Sequence, residues 1–231
     1  MNAYAAPIGL LEAAADKFVG QIPLILKVNS SSSLLPSSQS PTQGFTSSVD
    51  DALKIGASAI GLTIYPGSGR MLDMIQDSRE IIKEAKSKGL ATVVWSYARG
   101  EELPKEHETS IDVINYCAHI ACLIGADIIK VKLPVNSVFS KEAKKALEGA
   151  KTDSLASRIS LVVRSCFDGK RSVIFSGGAA KSDNEILDEI QQINLGGGFG
   201  SIIGRNAFQR DFESAKILIK NIQKIYKNID L

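Results

Sequence analysis

Long apolar runs are missing from this sequence. No stretch approaches the roughly 20 residues needed to cross a bilayer, and the N-terminus lacks the basic-then-apolar pattern of a secretory leader. Charge of one sign is missing too: 27 Lys and Arg stand against 25 Asp and Glu, a formal net charge of +2. That balance supplies no basic field for nucleic acid or a membrane surface, so neither is expected as a partner. Histidine is scarce, with two residues, and there are three cysteines, Cys117, Cys122 and Cys166. They fall at no metal-ligand spacing, so no metal and no other cofactor is expected. The cysteines read as reduced core residues of a cytoplasmic protein. No GxGxxG follows the first strand-like run, which removes support for a dinucleotide-binding fold.

What is present is alternation. The short apolar runs "IPLILKVN", "AIGLTIYPG", "LATVVWSYARG", "GADIIKVK", "RSVIFSGG" and "GSIIGRN" read as strands. Amphipathic stretches lie among them. "SSVDDALKIGA" has Ser48 as its N-cap, with Asp51 completing a loose capping box. "MLDMIQDSREIIKEAKSKG" is a helix stopped by Gly89, and "TSIDVINYCAHIACLIGA", "SDNEILDEIQQINLG" and "FESAKILIKNIQKIYKN" are further helices. Strand–helix repetition means βαβ units and a parallel sheet. The Ser- and Pro-rich stretch 29–48 reads as a mobile loop. At 231 residues, with 44% hydrophobic and 23% charged content, the chain suits one large α/β domain over 1–231.

Both an open doubly wound sheet and a closed barrel satisfy the alternation. A sheet covered on both faces should read as nearly continuous apolar residues. Here polar residues recur at alternate positions near the strand ends: Trp95, Tyr97 and Arg99 after Val93, Lys27 with Asn29, and Thr63 with Tyr65. That pattern predicts a TIM barrel with an active-site rim.

In "GADIIKVK", Ile128, Lys130 and Lys132 share one face, because residues two apart in a strand point the same way. Two readings compete. Burial and a second ammonium would both lower a lysine pKa, giving a neutral amine that forms a Schiff base with a carbonyl substrate. Alternatively, both lysines are rim residues paired with carboxylates. Tyr97, on the strand bearing Trp95 and Arg99, is either a proton donor to carbon or a core aromatic. "FSGG" and "IIGRN" close the last two strands, where barrels bind phosphate; Ser176, Gly177, Gly178, Gly204 and Arg205 are the candidates. "GGGFG" reads as a structural turn. His107 and His119 read as a solvated loop and a satisfied helix surface, and Asp183 and Glu185 as helix-start carboxylates.

"GADIIKVK", "VVWSYARG", "FSGGAA" and "IIGRNAFQR", in this order, resemble the archaeal-type class I fructose-bisphosphate aldolases, the DhnA-like family with its bacterial branch. The resemblance implies a TIM barrel that reversibly cleaves fructose 1,6-bisphosphate to dihydroxyacetone phosphate and glyceraldehyde 3-phosphate without metal, in glycolysis and gluconeogenesis. It implies Lys130 as the Schiff-base lysine, Tyr97 as the proton-transfer group beside Trp95, and phosphate binding at Ser176, Gly177, Gly178, Gly204 and Arg205. Lys132, Arg99 and Trp95 complete the expected substrate-facing set. The partner implied is a phosphorylated sugar, and the assembly a homo-oligomer.

One feature departs from that family. No Asp-x-Gly-x-Glu-His segment ends a first strand; the chain opens with "MNAYAAPIGLLEAA", which resembles the end of the second strand and the helix after it. The expected barrel therefore lacks its first strand and has about seven staves where closure needs eight. Two alternatives remain: a related lysine barrel of the aminodideoxyheptulosonate synthase type, and a non-catalytic phosphate-binding fragment.

Overall fold

The computed structural model describes residues 1–229 apart from 19, 33, 35, 37, 38 and 177–180. The chain begins with β1 (Tyr4–Pro7), α1 (Ile8–Ala13), α2 (Ala15–Phe18) and β2 (Leu24–Lys27). A short antiparallel ribbon follows, β3 (Asn29–Ser30) against β4 (Gly44–Phe45). Then come α3 (Val49–Lys54), β5 (Ala59–Ile64), α4 (Met71–Ser87) and β6 (Ala91–Ser96). The second half runs α5 (Ile111–Leu123), β7 (Ile128–Lys132), α6 (Lys141–Ala146), α7 (Leu155–Ser165) and β8 (Ser172–Ser176), then α8 (Asp183–Leu195), β9 (Gly200–Ser201), α9 (Arg205–Phe208) and α10 (Phe212–Tyr226).

The helices begin where their sequences can satisfy free N–H groups. Ser48 and Asp51 form both halves of a capping box on α3, and Ser182 and Glu185 do the same on α8. The α3 box is thus complete, tighter than the loose form expected. Glu185 acts through that box as well as through its charge at the helix start. α4 ends at Ser87 with Lys88 as its C-cap, and Gly89 takes the left-handed turn at φ +79° that most side chains resist.

Seven parallel strands form one sheet in the order β1-β2-β5-β6-β7-β8-β9. Alternate residues separate its two faces. Val94, Ile129 and Val131 join the large core under the helices, whereas Ala59, Val93 and Trp95 pack with Ile25, Ile128 and Ile202 in a second cluster. Side chains from opposite ends of a flat seven-stranded sheet would not meet, so the sheet is curled, with the second cluster as its interior. Trp95 fills much of that space, and a Cβ on Gly61 would lie 2.3 Å from its ring. Among the described residues no pairing joins β1 to β9. The architecture is an α/β barrel with seven staves, as the sequence predicted.

Two expectations change. The two described ends of the stretch 29–48 are anchored to the neighbouring strands. Asn29, 3% exposed, accepts from the Thr63 N–H at 2.8 Å and donates to the Thr63 carbonyl at 2.9 Å, imitating a strand rung. On the return leg, Gln43 Nε2 donates to the Tyr65 hydroxyl at 2.7 Å and the Pro41 carbonyl accepts from Ser68 at 2.6 Å. "GSIIGRN" is strand only at Gly200–Ser201, and the chain turns into α9 at Arg205.

At the N-terminal ends of the strands, Asp127 gathers several elements. Its Oδ2 accepts from the Thr92 N–H at 3.0 Å and the Thr92 hydroxyl at 2.9 Å. Its Oδ1 meets Lys86 Nζ at 2.9 Å and Arg171 Nη1 at 3.1 Å. One carboxylate therefore ties α4, β6, β7 and the approach to β8 together.

Candidate active site

A cleft of about 580 Å³ opens at the C-terminal ends of β6, β7, β8 and β9. Lys130 stands on the inward face of β7, opposite Trp95 on β6 and Ile174 on β8. It is 7% exposed, and burial, which disfavours the ammonium ion, lowers its pKa to about 8. Its Nζ donates a hydrogen bond to the Tyr97 hydroxyl and lies 4.9 Å from the centre of the Tyr97 ring. Burial pushes the Tyr97 phenol up to about 12, although a hydrogen bond with Ser176 and the charge of Arg99 act the other way. The phenol therefore keeps its proton at neutral pH. Lysine, tyrosine and serine from three successive strands meet at one point.

Lys132, one pleat nearer the mouth, is more exposed, with 31% of its side chain accessible, and it pairs with Glu108 Oε2 at 2.6 Å. Two ammonium groups side by side are therefore not what lowers the Lys130 pKa. Burial is the cause, and Glu108 offsets the second charge. Each of the two lysine readings thus describes one of the lysines: Lys130 is the desolvated amine and Lys132 the carboxylate-paired rim residue.

Arg99, Ser176, Gly204 and Arg205 line the same cleft as Lys130, Lys132 and Tyr97. Arg99 stacks over Tyr65 at 5.4 Å. Trp95 does not line the cleft; it is 8% exposed and lies in the barrel interior below. Gly177 and Gly178 fall outside the described residues. His107 and His119 stay away from the cleft, hydrogen-bonded to Ser110 at 3.1 Å and to the Ser165 carbonyl at 2.8 Å. "GGGFG" is a packed turn, since a Cβ on Gly198 would lie 2.5 Å from Ile193.

Several residues of the site region carry no signal in the strand pattern. Glu108 sits in the loop before α5, and Lys181, which pairs with Glu189, sits before α8. Asn206, the last residue of "IIGRN", also lines the cleft. Lys27 was legible as an inward lysine. It donates to the Asn29 carbonyl at 2.6 Å, lies 5.8 Å over the Trp95 ring, and burial lowers its pKa to about 8. Among the described residues no group of His, Cys, Asp and Glu has a metal-holding arrangement. The buried amine, the adjacent phenol and a cationic end with Gly204 beside Arg205 suit covalent imine chemistry on a phosphorylated carbonyl compound.

Comparison with known proteins gives the same picture. The model of the "DeoC/LacD family aldolase" matches residues 1–210. A probable class 1 fructose-bisphosphate aldolase of Chlamydia muridarum is 33% identical over 241 residues, spanning 97% of this chain and 68% of that protein. The class 1 fructose-bisphosphate aldolase of Halobacterium salinarum is 30% identical over 215 residues, spanning 93% of this chain and 72% of that protein. Among solved structures, an archaeal fructose-1,6-bisphosphate aldolase with its catalytic lysine covalently bound to the carbinolamine intermediate superposes with a TM-score of 0.79. It is 29% identical and is matched over 98% of this chain and 79% of its own.

Proposed function

We propose that this chain, which belongs to the DeoC/LacD family of aldolases, is a class I aldolase that reversibly cleaves fructose 1,6-bisphosphate through an imine on Lys130. The observation that carries this reading is the buried Lys130 amine, with its pKa near 8, hydrogen-bonded to Tyr97 inside the cleft. At pH 7.5 an amine of pKa about 8 is neutral in roughly one molecule in four, against about one in a thousand for an ordinary lysine. The names of the curated relatives support the bisphosphate as substrate and do not favour the synthase alternative.

The chemistry follows from that geometry. Lys130 Nζ attacks the C2 carbonyl carbon, and the carbinolamine loses water to give a protonated imine. The C3–C4 bond then breaks. Its electron pair moves from C3 into the imine as an enamine, and C4 leaves as the aldehyde of glyceraldehyde 3-phosphate. Tyr97 gives its proton to the departing carbinolamine hydroxyl, takes up the one lost by the C4 hydroxyl as the bond breaks, hands it on to C3, and regains a proton from the water that releases the product, so the phenol ends as it began. Water then releases dihydroxyacetone phosphate and the free amine. Ser176, Gly204 and Arg205, with Gly177 and Gly178, bind one phosphate, while Arg99 and Lys132 face the rest of the sugar chain and Trp95 packs in the barrel interior below. The 231 residues act as one barrel domain, in a homo-oligomer of the cytoplasm; the family resemblance supports the assembly, and three free buried cysteines agree with a reducing compartment.

Borohydride reduction in the presence of dihydroxyacetone phosphate is the test. One label on Lys130, located by peptide mapping, is expected. A label on Lys132, or none, overturns the assignment.

A further inference from the structure

One guanidinium outside the cleft joins two chain segments that close it. Arg210 lies between α9 and α10. Its Nε donates to the Asn206 carbonyl at 2.6 Å, its Nη1 pairs with Asp183, and its Nη2 donates to the Lys181 carbonyl at 3.4 Å. Asn206 Oδ1 in turn accepts from the Lys181 N–H at 3.3 Å. Lys181, Gly204, Arg205 and Asn206 line the cleft, whereas Arg210 does not. The side chain of Arg210 is 21% exposed while its partner Asp183 is 52% exposed, so the fork is packed down onto main chain, not held out in solvent.

We propose that Arg210 is a positioning residue for the phosphate of the substrate: it holds Lys181 and Asp183, after β8, against Asn206, after β9, and so sets the spacing between Lys181 and Gly204–Arg205 on the cleft wall. This rests on the phosphate site proposed above. Two of its three acceptors are backbone carbonyls, one on each segment, so the clamp sets main-chain positions. A planar fork with donors in three directions can hold such a set, and a lysine ammonium on a flexible stem cannot. A phosphate bound between two segments feels their separation directly, and misplacement by about 1 Å costs large factors in affinity or rate.

The test is Arg210→Lys in the full chain, which keeps the charge and loses the fork. Imine trapping by borohydride with dihydroxyacetone phosphate should need about tenfold more donor. Trapping with unphosphorylated dihydroxyacetone should be unchanged within about twofold, and the unfolding midpoint should fall little. Equal loss for the two donors means a structural role only and overturns the proposal. A second readout needs no catalysis: inorganic phosphate should raise the unfolding midpoint of the parent protein and raise that of Arg210→Lys far less. If neither donor is trapped on the parent but this phosphate difference is seen, the clamp stands and the aldolase reading fails. If phosphate acts equally on both proteins, or on neither, the clamp fails. Should Arg210→Lys not fold, Asp183→Asn removes one arm only, and a smaller loss confined to the phosphorylated donor is expected; no loss overturns the proposal.

Discussion

The ammonium of Lys130 is costly to bury. With a folded pKa near 8 and an unfolded value of 10.5, the difference amounts to about 3 kcal/mol against folding. The sign follows from proton counting. Between those two pH values the unfolded chain binds more protons, so stability rises with pH; below about 8 the full cost is present. Lys27 is lowered by burial in the same way and adds to the trend. Lys130→Met should therefore raise the unfolding midpoint by several degrees at pH 7 while abolishing imine trapping, a pair of results that calorimetry and borohydride labelling check together. The rate of imine formation should climb with pH and level off near 8, measured by trapping across a pH series. Tyr97→Phe should still trap the imine but cleave about 10²- to 10⁴-fold more slowly, read by coupled assay of aldehyde release. The lysine and the tyrosine were legible in the sequence because strand periodicity fixes which way a side chain points. Glu108 was not. Loop residues have no period, and only the folded chain shows which carboxylate reaches Lys132.

At the scale of elements, β5 and β6 show how tightly the interior is filled. The Trp95 ring occupies the space a side chain on Gly61 would need. Gly61→Ala should force the indole aside and cost at least about 1–3 kcal/mol, measured by denaturant unfolding, with a shift in tryptophan fluorescence. The βαβ order was legible because apolar runs and amphipathic runs alternate cleanly, and the cap at Ser48 announced its helix. The β3–β4 ribbon was hidden because its partners, Thr63, Tyr65 and Ser68, are distant in sequence. "IIGRN" reads as strand from its isoleucines, yet the chain leaves the sheet after Ser201 and turns at Gly204.

For the whole molecule, the sheet has two free edges among the described residues, at β1 and β9. Each presents backbone groups that water or another chain must satisfy. The 231-residue chain should self-associate as its concentration rises and unfold at a lower temperature than the same chain carrying an added strand that pairs with β1. Sedimentation and calorimetry on the two proteins check this; equal midpoints and no association would show the edges to be protected. At the N-terminal ends of the strands, side chains tie the elements together. There Asp127 joins Lys86, Thr92 and Arg171, and none of these four residues borders the cleft. The two ends are therefore separable: a change of side chain among the residues that line the cleft leaves the Asp127 anchor below it intact.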